Sequence, residues 1–231
     1  MFVELAVRLI NLVAPRQCAM CGCRLGIGED VICTACNIEL PRTGYAATPY
    51  DNEMAKLFWG RMPVEKAAAL FFYRAHSDAS KIIYRLKYLN HPETGELMGR
   101  MVAKEFAAHR FFDGIDTIVP VPLAKKRKRE RGYNQSLEIA RGVSQITRLP
   151  IISNAVKRKS FKGSQTQMSR WQRNENVEGE FILKDSEAVK GKHILIIDDV
   201  VTTGATVISC ATELAKAGGM KFSVMSLGFT K

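Results

Sequence analysis

The amino-acid sequence predicts an α/β fold, in which a parallel sheet is flanked by helices and preceded by an N-terminal helix and a four-cysteine module. Three observations predict it. Apolar runs of strand length alternate along the chain with segments of helical periodicity, which is the pattern of parallel strands joined by crossover helices. The run at residues 194–197 contains no polar residue, as expected for a strand buried on both faces. Two Cys-x-x-Cys pairs within residues 18–36 predict the separate module.

We expect two parts, an N-terminal helix and cysteine module over residues 1–45 and an α/β domain over residues 46–231. Prolines and glycine near residues 41–49 mark the linker between them. An amphipathic helix is expected at the N-terminus, packed on the protein, with peripheral membrane binding as the alternative. Its apolar face consists of Phe2, Leu5, Leu9, Leu12 and Val13.

No apolar stretch approaches the roughly 20 residues that span a bilayer. The apolar N-terminus contains Glu4 and Arg8, and it lacks the basic start and the small-residue cleavage site of a signal peptide. We therefore expect no integral membrane segment and a cytoplasmic protein.

The cysteine spacing predicts a structural zinc site. Cys18 and Cys21 form one knuckle, and Cys33 and Cys36 form a second after a turn-rich segment. Four thiolates complete a tetrahedral Zn²⁺ shell, so the metal would stabilise the module and leave no open position for catalysis. Disulfides are the alternative, which a cytosolic setting disfavours. Cys23 is expected to stay free.

The first predicted elements of the domain are a strand, two helices and a second strand. Residues 67–73 are continuously apolar and predict a strand. Residues 78–88 and 95–110 have helical spacing, and the breaker Asn90-His91-Pro92 separates them. Residues 116–121, Asp-Thr-Ile-Val-Pro-Val, predict the next strand, which ends in prolines.

The remaining elements continue the alternation. Residues 131–147 have near-helical apolar spacing, whereas residues 159–176 are polar, basic and aperiodic, which predicts a mobile loop. Short apolar runs predict two short strands. The long apolar run at 194–197 and the apolar segment near the end of the sequence predict two longer strands. The predicted strands are 155–157, 181–183, 193–198 and 222–227, with a helix between Gly204 and Lys216.

The most informative stretch is residues 194–206, in which four apolar residues of the 193–198 strand are followed by Asp198 and Asp199. A Thr/Gly loop and a helix start follow, and backbone N–H groups at a helix start, with threonine hydroxyls, bind phosphate. Carboxylates repel phosphate but accept hydrogen bonds from ribose hydroxyls, so the stretch predicts a site for a ribose 5-phosphate. The loop residues are Thr202, Thr203, Gly204, Ala205 and Thr206.

Two other interpretations also fit part of this stretch. The acids could simply cap a helix beside a buried strand. A strand ending in Asp-Asp would also suit magnesium in a nucleoside triphosphatase, but that class requires G-x-x-x-x-G-K-[ST]. Gly191-Lys192 is followed by His193 and does not fit this pattern.

The positive charge is concentrated. Residues 120–175 hold fourteen Lys or Arg against three acids, an excess of eleven that equals the net charge of +11 of the whole chain. A concentrated positive field implies a polyanionic partner, although a solvated basic surface is the simpler interpretation.

The residues 194–206 resemble the phosphoribosyl pyrophosphate (PRPP) loop of type I phosphoribosyltransferases. Two more segments resemble the amidophosphoribosyltransferase branch: Val119-Pro120-Val121-Pro122-Leu123, followed by Arg-Gly-Tyr-Asn-Gln at 131–135, and the loop that starts at Lys159. Together with the four cysteines, these motifs resemble the ComF family of competence-associated, phosphoribosyltransferase-like proteins over nearly the whole chain.

This resemblance implies a type I phosphoribosyltransferase-like fold and a Mg²⁺-dependent transferase that uses PRPP. It implies that Asp198 and Asp199 orient the ribose hydroxyls and that residues 202–206 hold the 5-phosphate. The candidates for binding pyrophosphate are Arg127, Arg131, Lys159 and Arg170.

The family also implies a role in the uptake of single-stranded DNA during natural transformation, with DNA and other DNA-uptake proteins as partners. No residue pattern identifies the acceptor of the ribose. A non-catalytic module that binds single-stranded DNA and retains a PRPP or phosphate pocket is therefore the alternative.

Overall fold

A computed structural model describes residues 16–159 and 180–231. The N-terminal helix expected over residues 2–13 lies outside these residues. So does the predicted mobile loop after Lys159, including Arg170.

The described residues form seven helices and six strands. The helices are α1 (Thr34–Glu39), α2 (Glu53–Lys56), α3 (Ser80–Tyr88), α4 (Pro92–Ala107), α5 (Lys125–Arg131), α6 (Gln135–Thr147) and α7 (Ala205–Ala215). The strands are β1 (Val64–Phe72), β2 (Thr117–Pro120), β3 (Val156–Arg158), β4 (Phe181–Leu183), β5 (His193–Val201) and β6 (Lys221–Phe229).

The central sheet has four parallel strands in the order β1-β6-β5-β2, which confirms the parallel sheet predicted from the sequence. Strand β5 lies between β6 and β2, with Ile197 opposite both Pro120 and Met225. Strands β3 and β4 pair antiparallel in a separate small sheet. Since β5 has neighbours on both sides, its end is held in a defined position.

Alternate residues of β5 face opposite layers of the core, because side chains alternate along a strand. Leu195 and Ile197 pack in an apolar cluster with α3, α4, α6 and the cysteine module. Ile194 and Ile196 pack in a second cluster with α2 and α7. The sheet is thus covered on both faces, which explains why the β5 run carries no polar residue.

Helices α4 and α6 approach closely because each has a glycine at the contact. A Cβ atom on Gly99 would lie 2.2 Å from the carbonyl oxygen of Ile139. A Cβ atom on Gly142 would lie 2.0 Å from the carbonyl oxygen of Glu96. These distances are far below van der Waals contact, so no larger residue fits without moving a helix.

The helix predicted over residues 131–147 is wrong at its start. The structure has two helices here: α5 ends at Arg131 and is capped by Gly132, which adopts a left-handed φ of 79°, and α6 begins at Gln135. No residue of α5 is buried. Apolar periodicity therefore cannot reveal this helix.

The segment expected as a linker is hydrogen-bonded along the edge of β1. The Phe72 N–H donates to the Pro41 carbonyl at 2.8 Å, and the Thr43 N–H donates to the Leu70 carbonyl at 3.1 Å. This segment covers the outer edge of the sheet, which would otherwise present unpaired backbone groups. Among the described residues, no helix has both the length and the apolar character needed to cross a membrane.

Replacing Gly142 with alanine tests the close contact of α4 and α6. We expect a loss of about 2 kcal/mol or more in the free energy of unfolding, because the new methyl group meets backbone and not a movable side chain. Urea titration measures the change. Lys104→Ala, at an exposed position of α4, is the matched control and should stay within about 0.5 kcal/mol of the parent. Equal stability of Gly142→Ala and the parent would contradict the packing.

Candidate active site and metal centre

The two aspartates lie at the carboxyl end of β5. Asp198 pairs with Ser226 of the adjacent strand β6, and the run continues two residues past Asp199 to Val201. Asp199 is 8% exposed. In a parallel sheet with helices on both faces, ligands bind outside the carboxyl ends of the strands. The carboxylates therefore occupy the edge where a site is expected.

Three donors hold the acid pair. Lys87 of α3 places its Nζ 3.1 Å from Oδ1 of Asp199. The Ser136 hydroxyl, in the first turn of α6, donates to Oδ1 of Asp198 at 3.1 Å. The Asp199 backbone N–H donates to the same oxygen at 2.9 Å. The pair is thus positioned by two helices as well as by its own strand.

Burial and the adjacent charge of Asp199 raise the pKa of Asp198 to about 7, although the donors above oppose the shift. Two neighbouring carboxylates in a partly dry site do not both ionise easily. Groups that donate hydrogen bonds, or a cation, would favour the fully ionised pair. Ribose hydroxyls and Mg²⁺ are ligands of this kind.

The Thr/Gly loop follows directly and leads into α7. Thr202 and Thr203 are exposed, and the Thr203 hydroxyl oxygen accepts from the Ala205 N–H at 3.4 Å. Gly204 precedes α7 with a left-handed φ of 73°, and a Cβ atom there would lie 2.9 Å from the Phe58 ring. Glycine is therefore required for both backbone conformation and space. Ala205 and Thr206 form the first turn of the helix.

The segment that follows α5 joins three elements around the acid pair. The Tyr133 hydroxyl donates to the Leu86 carbonyl of α3 at 2.5 Å. The Asn134 side chain donates to the Val121 carbonyl, just after β2, at 3.0 Å. Ser136 then reaches Asp198. The sequence Arg-Gly-Tyr-Asn-Gln thus positions α3, β2 and α6 relative to β5.

A cavity of about 800 Å³ is lined by residues of α3 and α5, and the described residues that line it include neither the acid pair nor the Thr/Gly loop. Four cations line it, against the single acid Glu130. They are Lys87, Arg127, Arg129 and Arg131. Lys87 connects the cavity to the acid pair, because the same side chain is paired with Asp199. The excess of positive charge suits a polyanionic ligand.

The structure brings together some of the predicted site residues. Asp198, Asp199 and the loop residues 202–206 all lie within residues 198–206, and Arg127 and Arg131 line a cavity to which Lys87 also contributes. Lys159 is exposed at the end of β3 and donates its N–H to the Glu180 carbonyl at 2.8 Å. Among the described residues, no hydrogen bond or ion pair joins Lys159 to the acid pair. Arg170 lies outside the described residues.

Lys87 and Ser136 were not predicted from the sequence. Lys87 follows the buried Ile82, Ile83 and Leu86 of α3 and looks like an ordinary solvent-facing lysine. Ser136 looks like a residue of a helix start. Only the packing of α3 and α6 against β5 brings either side chain to the aspartates.

The four knuckle cysteines converge. The sulfur atoms of Cys18, Cys21, Cys33 and Cys36 all lie within 4.8 Å of one another. The first knuckle is closed by the Gly22 N–H donating to the Cys18 carbonyl at 2.9 Å. The second lies at the start of α1, where the Cys33 N–H donates to the Cys18 sulfur at 3.3 Å. Four convergent thiols can bind a metal ion, and N–H···S bonds favour thiolates.

Cys23 lies at the margin of this cluster. Its sulfur is 3.1 Å from that of Cys21, and this hydrogen bond lowers the pKa of Cys21 and raises that of Cys23. Cys23 does not belong to the group of four that could share one ion.

Helix α3 connects the cysteine module to the acid pair. An Arg85 guanidinium N–H donates to the Cys18 carbonyl at 3.1 Å. Two residues later, Lys87 reaches Asp199. The module is therefore packed against the helix that supplies a cation to the site.

Comparison with known proteins agrees with this geometry. The family model described as phosphoribosyl transferase domain matches residues 88–227. The DNA utilization protein YhgH of Escherichia coli strain K12 is 29% identical over 226 residues, covering 94% of this chain and 98% of that protein. Competence protein F of Haemophilus influenzae is 24% identical, covering 91% and 96%. Competence protein ComFC of Bacillus subtilis is 34% identical over 107 residues, covering 45% and 41%.

The purified protein is expected to hold one zinc ion per chain. Cys18→Ser should lose the metal and lower the free energy of unfolding by more than about 2 kcal/mol, because one ligand and its N–H···S bond are removed. Elemental analysis and urea titration measure both effects. Cys23→Ser is the matched control and should keep the zinc. A metal-free parent protein, or zinc loss in Cys23→Ser equal to that in Cys18→Ser, would contradict the assignment.

Proposed function

The chain belongs to the phosphoribosyl transferase domain family, and its relatives confirm the resemblance to the ComF family. On this basis we propose that it is a Mg²⁺-dependent phosphoribosyltransferase that binds PRPP at the carboxyl end of β5. The observation that carries the proposal is the acid pair followed by the Thr/Gly loop and connected through Lys87 to a cationic cavity.

Each part of PRPP has a chemically matched region in this arrangement. The carboxylates of Asp198 and Asp199 would accept hydrogen bonds from the ribose hydroxyls. The loop residues 202–206, at the start of α7, would donate to the 5-phosphate. Lys87, Arg127 and Arg131 would face the pyrophosphate, whose negative charge suits their cavity.

The residues also fit magnesium. Oxygen ligands suit this hard cation, and the acid pair offers carboxylate oxygens beside the cavity. Bound with PRPP, Mg²⁺ would neutralise charge on the phosphate oxygens as pyrophosphate departs. Asp198 and Asp199 are the residues that would hold it, directly or through water.

The transfer breaks the bond between the anomeric carbon of the ribose and pyrophosphate, and forms a bond from that carbon to the acceptor. Positive charge develops on the ribose while negative charge develops on the leaving pyrophosphate. The carboxylates lie on the ribose side and the cations on the pyrophosphate side, so both charges are stabilised. Removing one preorganised donor of this kind typically costs about 2.7–4 kcal/mol of transition-state stabilisation.

We further propose that the protein acts in the utilization or uptake of DNA, and that single-stranded DNA and other DNA-uptake proteins are its partners. The names of its relatives support this process. The exposed basic helix α5 supports the nucleic acid partner, because six of its seven residues are Lys or Arg. The thiols of the zinc site favour a reducing compartment, so we place the protein in the cytoplasm.

A non-catalytic DNA-binding module is not favoured. A module that kept only a phosphate pocket would not require two adjacent carboxylates, since buried like charges destabilise a fold. The chain keeps both acids and has a lysine, a serine and a backbone N–H directed at them.

Replacing both aspartates with asparagine should weaken PRPP binding by one to two decades, roughly 1.4 kcal/mol for each decade. The amide keeps the size of the side chain but loses the charge and half of the accepting capacity. Calorimetry in the presence and absence of Mg²⁺ measures the affinity, which should require the cation in the parent. Asp113→Asn, at the opposite edge of the sheet, is the control. Unchanged affinity in the double variant would show that the loop is misassigned.

Removing positive charges from α5 should weaken DNA binding and make the affinity less dependent on salt concentration. Phosphate contacts release counterions, so the slope of log affinity against log salt is about −0.7 per phosphate neutralised on a single strand. Replacing four cations with alanine should flatten the slope by up to about three units. These cations are Lys125, Lys126, Arg127 and Lys128.

Fluorescence anisotropy with a labelled single-stranded oligonucleotide at several salt concentrations measures the slope. A control variant removes the same number of exposed positive charges from other surfaces, by replacing Lys104, Lys184, Lys190 and Lys216 with alanine. A slope that both variants change equally would mean that only the net charge matters, and absence of binding at low salt would exclude the partner.

A further inference from the structure

Helix α3 carries a pair of tyrosines on its solvent side. Tyr84 is 55% exposed and Tyr88 is 63% exposed, although both side chains are large and aromatic. Residues four apart lie on the same side of a helix, and the two ring centroids are 5.1 Å apart at an interplanar angle of 40°. We call this surface the tyrosine platform. It offers planar aromatic area to a ligand, because the core on the other side of α3 is filled by Ile82, Ile83 and Leu86.

Positive charge borders the tyrosine platform on the side of α5. The Arg131 guanidinium carbon lies 5.4 Å from the centre of the Tyr88 ring, in cation–π contact. Tyr88 and Lys87 also line the cationic cavity described above. A chain of phosphates along α5 would therefore bring its attached groups towards the platform.

A second cavity, of about 490 Å³, extends the platform on its other side. Its lining includes Tyr73, His76, Lys81 and Tyr84, and it shares Lys87 and Tyr88 with the first cavity. The two cavities form one path across α3, from the basic helix to the region after β1. The path combines cations at one end with exposed rings in the middle.

We propose that the tyrosine platform stacks the bases of single-stranded DNA whose phosphates lie along α5. This rests on the proposed DNA partner and adds where and how the strand is held. Stacking requires base faces that are free, and a duplex hides these faces between neighbouring base pairs. Aromatic rings beside a positively charged groove are the combination that holds single strands without sequence preference. Charge complementarity selects a nucleic acid strand over an apolar peptide for this surface.

The location has a consequence for the transferase site. Lys87 lies at the border of the platform and is paired with Asp199. A strand that crosses α3 would pass directly beside the acid pair. Bound DNA and PRPP would therefore be neighbours in the same groove system.

The test compares three labelled oligonucleotides of equal length: a single strand, an abasic single strand that retains the phosphates but lacks bases, and a duplex. Tyr84→Ala with Tyr88→Ala should weaken binding of the normal single strand by about 10- to 100-fold. The same variant should bind the abasic strand and the duplex as the parent does, within about twofold. Tyr84→Phe with Tyr88→Phe keeps the rings and should restore binding of the normal strand.

Tyr50→Ala is the control, because this tyrosine is 61% exposed and lies near Lys66, away from α3. It should leave all three affinities unchanged. Urea titration confirms that the α3 variant is folded. If the alanine variant binds each of the three oligonucleotides with the same affinity as the parent, the proposed base stacking is wrong, but the proposed DNA partner stands. If the parent binds no oligonucleotide at low salt, both are wrong, and the exposed tyrosines would then indicate a protein partner.

Discussion

The repulsion between two adjacent carboxylates at the end of a buried strand is the constraint around which the site is arranged. Asp198 and Asp199 follow four apolar residues on a strand that has neighbours on both sides, so the backbone from which the two carboxylates extend is fixed. Lys87, Ser136 and a backbone N–H offset the repulsion. A buried pair of like charges lowers the stability of the fold. Such pairs are common at sites that bind hydrogen-bond donors or a cation.

Helix α3 connects regions that lie far apart in the sequence. Arg85 holds the cysteine module, the Leu86 carbonyl accepts from Tyr133, and Lys87 reaches the acid pair. The opposite side of the same helix fills the core between the module and the sheet. The cysteine module can thus influence the orientation of one helix, and through that helix the position of a charged side chain.

Much of the net positive charge lies on an exposed helix, α5. Helix α5 buries none of its residues, and it is held at its end by the left-handed Gly132 and by the contacts of Tyr133 and Asn134. Its cations repel each other and contribute nothing to the core. Their position next to the cavity and the tyrosine platform accounts for a helix that stability alone would not favour.

The sequence by itself determined the features that depend on local order along the chain. Apolar periodicity predicted the parallel sheet, and the knuckle spacing predicted the convergence of four thiols, because a metal site needs its ligands at set separations. The Asp-Asp and Thr/Gly run predicted a site at the strand end, because that site is built from consecutive residues.

Only the tertiary structure decided which distant side chains meet. Lys87 is more than a hundred residues from Asp199 in the chain, and nothing in its helical position separates it from other exposed lysines. Helix α5 escaped prediction because a helix without a buried face has no apolar period. The pairing of Tyr84 with Tyr88 was open to sequence reasoning, but their exposure beside Arg131 depends on how α3 packs. Burial and proximity between separate elements arise from packing, which local patterns do not encode.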